Sequence, residues 1–419
     1  MSLDEAPRRA VPLLLASAAL RATATSLVGV LLGLYLADHG FSPGQIGVVA
    51  TTGLTGAALG ALAVTLAGDR IGRRRSLVLL NAIAAVGAAA LLLASNVWLI
   101  AAAAFVGMVN AMGRDRGGAS ILEQAVLPSA VPDQRRTRAF AWYSALQDGG
   151  HALGSLLAGL PAVLERSRGL SPVAADRAAL ACAPALLAVT ALVCLALPSS
   201  IEPAPAGAGG RGARAAAAAP MGLAPRTRSV LLRITPLFLL DGIGGGLLVT
   251  TLLSYFFFER FGAGAAAVSV LFFAARLANV GSHFGAAWLA RRIGLVNTMV
   301  FTHIPSSLLL LLVAVAPSFP IAAALFLLRE CLVEMDVPTR QSYVMGVVAP
   351  AERTTVSGVV NLVRLGAWAA GAGVAGLVMQ RVSLGTPLVL GASLKIVYDV
   401  LLYLAFRRER PPEEALTSP

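Results

Sequence analysis

Arg21 lies in ALRATATSL and Asp241 in LLDGIGGGLL, each well inside a long apolar run. An ionisable side chain in hydrocarbon costs at least about 2.5–3.5 kcal/mol, so it faces protein or water and marks a path for ions or substrate. The chain holds several more. Arg114, Asp115 and Arg116 stand together in GRDRGGA, and Glu123 follows Arg116 by seven residues, so the two share a helical face. Asp148 and His151 are spaced i,i+3, as are Arg276 and Asn279. Arg329 and Glu330 are neighbours, and Lys395 and Asp399 sit at i,i+4.

These residue types can do three things. A carboxylate that alternates between ionised and protonated states couples proton movement to a second cargo, and a histidine beside a carboxylate titrates near neutral pH. Arginines in the same setting hold carboxylate or phosphate groups. The plainer reading is that the charges neutralise one another and hydrogen-bond helices together. By depth, the candidates for a substrate or proton pathway are Arg21, Arg114, Asp115, Arg116, Asp148, His151, Asp241, Arg276, Arg329 and Glu330. Arg21 and Asp241 stand at matching depths, where they bind substrate, carry a proton or neutralise each other. Glu123, Asp336 and Arg340 lie nearer a helix end and read as salt bridges between halves of the molecule. Lys395 and Asp399 read as a self-neutralising pair.

Other chemistries find no support. No nucleophile–base constellation suggests an enzyme. Cys182, Cys194 and Cys331 all fall in apolar segments without metal-binding spacing, so no metal or cofactor is expected. GAGVAG at 371–376 fits a dinucleotide pattern but no strand precedes it, so it reads as a helix-packing face. The only lysine lies in SLKIV, outside any phosphate-binding loop. The net charge of +12 is dispersed in short clusters between apolar runs, which argues against nucleic acid as a partner.

The elements that must position the charges are membrane helices. The chain is 57% hydrophobic and 13% charged, against about 25% charged in a soluble domain. Apolar runs of bilayer-spanning length recur at 11–37, 44–67, 76–95, 97–119, 138–164, 177–197, 229–257, 265–289, 295–316, 319–337, 355–380 and 386–406. The N-terminus leads straight into the first span without a short cleavable signal pattern. Arginines in the connecting segments number 19 on one side and 5 on the other, which places both termini in the cytoplasm. A segment rich in Pro, Gly and Ala with four arginines, 198–228, reads as a cytoplasmic linker. It separates a six-helix half at 1–197 from another at 229–407, with a tail at 408–419. Heavy use of arginine and alanine suggests a bacterial inner-membrane protein.

The halves echo each other. LAGDRIGR (66–73) aligns with LARRIGL (289–295), setting Gly72 against Gly294, and PDQRRT (132–137) aligns with PAERT (350–354). Setting Tyr35 against Tyr255 places Arg21 opposite Asp241. Duplicated six-helix units are known among secondary transporters.

GDRIGRRR, between the second and third spans, resembles the signature loop of the major facilitator superfamily: glycine, three residues, Asp-Arg, one residue, glycine and a basic pair. Asp69, Arg70, Gly72, Arg73 and Arg74 fit it, with Thr65 at the first glycine position. The resemblance implies an all-α membrane protein of twelve helices in two pseudo-symmetric bundles. It also implies transport by alternating access, and a cavity lined by spans one, four, seven and ten. Asp69, Arg70, Gly72 and Arg73 would form a conformational latch; the alternative is that the arginines only anchor the loop at the headgroups. Arg114 and Gly118 resemble a proton-transfer motif of drug/proton antiporters. Gly150, Gly154 and Gly159 resemble the antiporter glycine motif, though small residues for close helix packing explain them equally well. The expectation is therefore proton-coupled efflux of a small molecule by a monomer in a lipid bilayer. The alternative is an importer or exchanger of a small organic or inorganic anion held by the intramembrane arginines.

Overall fold

The computed structural model describes residues 5–132, 135–202, 225–336, 340 and 353–406. Helices α1 (Glu5–Asp38), α2 (Pro43–Ile71) and α3 (Arg73–Leu93) match the first three expected spans within several residues. The start of α2 is written in SPGQ. Ser42 Oγ accepts from the Gln45 N–H, Gln45 returns a bond to the Ser42 N–H at 2.8 Å, and Pro43 opens the helix.

Span four departs from expectation. In place of one helix over 97–119 there are α4 (Val97–Val106) and α5 (Gly118–Val126), joined by an unwound segment. Its composition explains the break. Asn110 competes with the helix by accepting from the Met112 N–H at 3.0 Å and donating to the Arg114 carbonyl at 2.6 Å. Gly113 takes φ +63°, and Met108, without glycine's freedom, takes φ +50°. Non-helical backbone at membrane depth is stable only where it is covered by protein or lines a cavity. Two threonines provide part of that cover. Thr250 donates to the Met112 carbonyl at 2.8 Å, and Thr251 donates to the carbonyls of Gly29 at 3.0 Å and Ala111 at 3.3 Å.

The chain continues through α6 (Arg136–Leu157), α7 (Leu160–Arg168), α8 (Pro172–Leu180) and α9 (Cys182–Leu195). Span seven is also divided, into α10 (Pro225–Gly246) and α11 (Thr250–Phe261), just after the helix-weakening run Gly244–Gly246. The remaining helices are α12 (Ala265–Ile293), α13 (Leu295–Val315), α14 (Phe319–Val333), α15 (Arg353–Arg381) and α16 (Thr386–Phe406). Among the described residues there are no strands, and nine helical stretches are long and apolar enough to cross a membrane. Spans four, five and ten do not qualify as single helices: the first is broken, α6 is too polar and α14 is short.

Contacts divide the chain into two compact units, Met1–Arg214 with Val249–Phe273, and Ala215–Leu248 with Ala274–Pro419. In the first, α1 packs closely along α6. A Cβ on Gly150 would lie 2.4 Å from the Ala19 carbonyl oxygen, and one on Gly154 would lie 2.1 Å from that of Thr23. Close helix packing is therefore sufficient to account for the glycines of span five. In the second unit α10 packs on α15 and α16, and α13 on α14 and α16.

The helix junctions reproduce one echo between the halves. Gly72 joins α2 to α3 at φ +102°, and Gly294 joins α12 to α13 at φ +86°. Each glycine N–H bonds the carbonyl four residues back at 3.0 Å. The second echo falls on Asp133, Gln134 and 350–352, outside the described residues, as do 203–224 of the linker.

Candidate functional site

In the first unit, Arg21 of α1 meets two buried carboxylates. Its Nε donates to Asp115 Oδ2 at 2.7 Å, while Nη1 and Nη2 donate to the two oxygens of Glu123 at 2.8 and 2.5 Å. Ser17, one turn before Arg21, also donates to Glu123 at 2.6 Å, and Tyr143 of α6 donates at 2.9 Å. Glu123 has no exposed surface.

Asp115 sits on the unwound segment and is tied to α6. Gln147 Nε2 donates to its carboxylate at 3.2 Å, and its backbone N–H donates to His151 Nε2 at 2.8 Å. That bond makes Nε2 the acceptor and leaves Nδ1 as the protonated nitrogen of a neutral ring. Nδ1 lies 3.9 Å from Asp148, whose side chain is 32% exposed. Asp148 and His151 thus lie beside the backbone of Asp115, whose carboxylate faces Arg21 on the other side. Arg114 and Arg116 flank Asp115 and are half-buried.

The helical face expected to be shared by Arg116 and Glu123 is corrected, because residue 116 precedes α5 and the break removes the common face. Glu123 likewise bonds Arg21 within the first unit and does not act as a bridge between halves.

In the second unit Asp241 of α10 is surrounded by cations: Lys395 Nζ at 2.8 Å, Arg364 at 3.3 Å and Arg340 at 3.6 Å. Arg340 also pairs with Asp336. Two expectations change here. Lys395 reaches across to Asp241 and does not neutralise Asp399, whose carboxylate instead lies 3.0 Å from His303 of α13. Asp336 and Arg340 serve the second unit internally. Arg21 and Asp241 each have partners within their own unit. Farther along, Asn279 donates to the Glu330 carbonyl at 2.8 Å and to its carboxylate at 2.9 Å, while Glu330 pairs with Arg329. Arg276 lies buried one turn before Asn279.

At the loop between α2 and α3, the carboxylate of Glu202 accepts from the Arg73 and Arg74 backbone N–H groups at 2.6 and 3.1 Å. It thereby caps α3, whose preceding residue Gly72 has no side chain to do so. Arg74 also donates to the Leu195 carbonyl. Arg70 is exposed and Arg73 half-buried. Asp69 belongs to α2, but its side chain is outside those described.

Sequence reasoning missed Arg364, Tyr143 and Glu202 as participants. Arg364 carried a usable signal, a lone charge in VNLVRLGAW. Tyr143 and Glu202 carried none beyond composition.

A family model for the Major Facilitator Superfamily matches residues 14–372. The chain is 25% identical to an uncharacterized membrane protein of Saccharomyces cerevisiae, over 95% of this chain and 94% of that one. A mutant of the nucleoside transporter NupG superposes with a TM-score of 0.73 at 16% identity, covering 94% of this chain and all (100%) of that one. The D-xylose-proton symporter gives 0.71 at 14% identity, covering 94% and 97%. The human organic anion transporter MFSD10 gives 0.62 at 21% identity, covering 94% and 99%. Broken helices carrying buried charge, glycine junctions repeated between halves and a family match over most of the chain lead to one assignment: this multi-pass membrane protein belongs to the Major Facilitator Superfamily.

Proposed function

We propose that the chain is a proton-coupled transporter that exports a small molecule by alternating access, with Asp115 as the carboxylate that gains and loses the proton. The observation that carries this reading is the charge count around Arg21: one guanidinium faces the two buried carboxylates of Asp115 and Glu123. Uncompensated charge is costly at low dielectric, and like charges sharing one site disfavour double ionisation. One proton removes the excess. Glu123 already accepts four hydrogen bonds, all suited to a carboxylate. Asp115 has fewer donors to its carboxylate, its backbone N–H bonds His151 next to half-exposed Asp148, and Arg114 and Arg116 flank it.

Asp241 fits the carrier role less well, since three cations against the two carboxylates of Asp241 and Asp336 leave no excess negative charge to attract a proton. The anion alternative, built on Arg21 and Arg276, loses support at Arg21, which already holds two carboxylates. Export as the direction rests on the motif resemblances of spans four and five.

The test is a pH jump applied to proteoliposomes on a solid-supported membrane without substrate. Wild-type protein gives a transient displacement current as the proton binds, and Asp115→Asn abolishes it. An unchanged transient in Asp115→Asn overturns the assignment.

A further inference from the structure

Asn81 of α3 is 1% exposed. Its Nδ2 donates to the Leu77 carbonyl at 2.8 Å and contacts Cys194 Sγ at 3.8 Å, yet its Oδ1 has no donor. A buried amide oxygen left unpaired costs about 1–3 kcal/mol, and buried polar atoms are satisfied by protein or by water in the great majority of cases. Asn81 lines a cavity of about 80 Å³ inside the first unit. The same cavity is lined by Thr25, Arg21 and Asp115, and by Met108 and Asn110 of the unwound segment. Gly107, Met108 and Val109 also line it, and among the described turns and loops their carbonyls accept no backbone hydrogen bond.

Three features coincide. The unwinding of span four releases acceptors at membrane depth; the third helix contributes an unpaired acceptor; and the cavity reaches the Arg21–Asp115 pair. All of the unpaired groups need hydrogen donors. A water molecule needs at least about 10–15 Å³ of such space and two to four polar partners, so this volume holds several. The remaining walls are small or apolar, including Ala57, Ala84 and Leu187, and give a larger polar ligand little to bind.

We propose that this cavity is a hydrated proton route to Asp115, internal to the first six-helix bundle, with Asn81 as the residue that positions its water. A proton enters on the water chain and is transferred to the Asp115 carboxylate, giving the neutral acid while the last water donates and is reprotonated from behind. Deprotonation reverses the same steps. Cargo and proton then approach Asp115 along separate routes. The inference rests on the assignment of Asp115 as carrier.

Two measurements test it. Hydroxyl-radical labelling of the protein in proteoliposomes reads water directly, because methionines facing lipid are not oxidised while one beside internal water is. Met108 is expected to label in wild type and to lose most of that labelling in Ala84→Leu, which fills the cavity. Absence of Met108 labelling in wild type overturns the route without recourse to any variant. The pH-jump transient reads function. Asn81→Leu and Ala84→Leu are expected to slow its rise at least tenfold while preserving the total charge moved, and Asn81→Ser, which restores an acceptor, is expected to recover the rate. Wild-type rates in both blocking variants overturn the route. If Asp115→Asn also abolishes the transient in that case, the carrier assignment stands and only the route falls. Sodium-dependent protection of Met108 would mean that the cavity holds an ion, and would overturn it as well.

Discussion

Glu123 gathers four hydrogen bonds from Ser17, Arg21 and Tyr143 with none of its surface exposed. Removing Glu123 leaves Arg21 paired with Asp115 but strips the acceptor from several buried donors at once, each at about 1–3 kcal/mol. Losing one hydroxyl donor to a charged group costs about 1.5–3 kcal/mol in all. Glu123→Ala is therefore expected to lower the thermal unfolding midpoint in detergent clearly more than Tyr143→Phe does; equal shifts would contradict this ranking. The types and depths of Arg21, Asp115, His151 and Asp241 were legible in the sequence because charge in hydrocarbon is rare and costly. Their partners were not. Arg21 and Glu123 are brought together by helices 102 positions apart in the chain, and such pairing follows from helix rotation that no local pattern encodes. The shared face of Arg116 and Glu123 failed for a specific reason: seven-residue spacing across GRDRGGA presumes a helix that does not exist there.

That missing helix belongs to the scale of elements. Hydropathy averages over a window, so it locates span four but is blind to an interruption within it. The signs were local, namely Asn110 with Gly107, Gly113 and Gly117. By contrast α13 and α16, which are unbroken helices, match their expected limits within a residue. The break persists because Thr250 and Thr251 occupy carbonyls that a helix would have used. Each such hydrogen bond is worth about 0.5–1.5 kcal/mol. The double substitution Thr250→Val, Thr251→Val is expected to speed hydrogen exchange at amides of the 107–117 segment while leaving those of α16 unchanged. Uniform acceleration across both would instead signal general destabilisation.

For the whole molecule, the duplication was legible where backbone geometry is demanding. Gly72 and Gly294 share a conformation that favours glycine, at the same junction in each half. The buried charges differ between the units: two carboxylates converge on Arg21, and three cations on Asp241. The cap that Glu202 places on α3 has a consequence for how the chain can be cut. It fastens the chain just after α9 back onto α3, beside the buried side chains of Leu197 and Ile201. A fragment is thus self-contained only if it keeps that clasp. Split into two co-expressed pieces, the protein is expected to assemble when the first ends at residue 210. Ending it at Leu197 should leave the bonds of the α3 N-terminus open, raise tryptic cleavage at Arg73–Arg75 and lower the recovered complex several-fold. Equal recovery from both cuts would show that the clasp is dispensable.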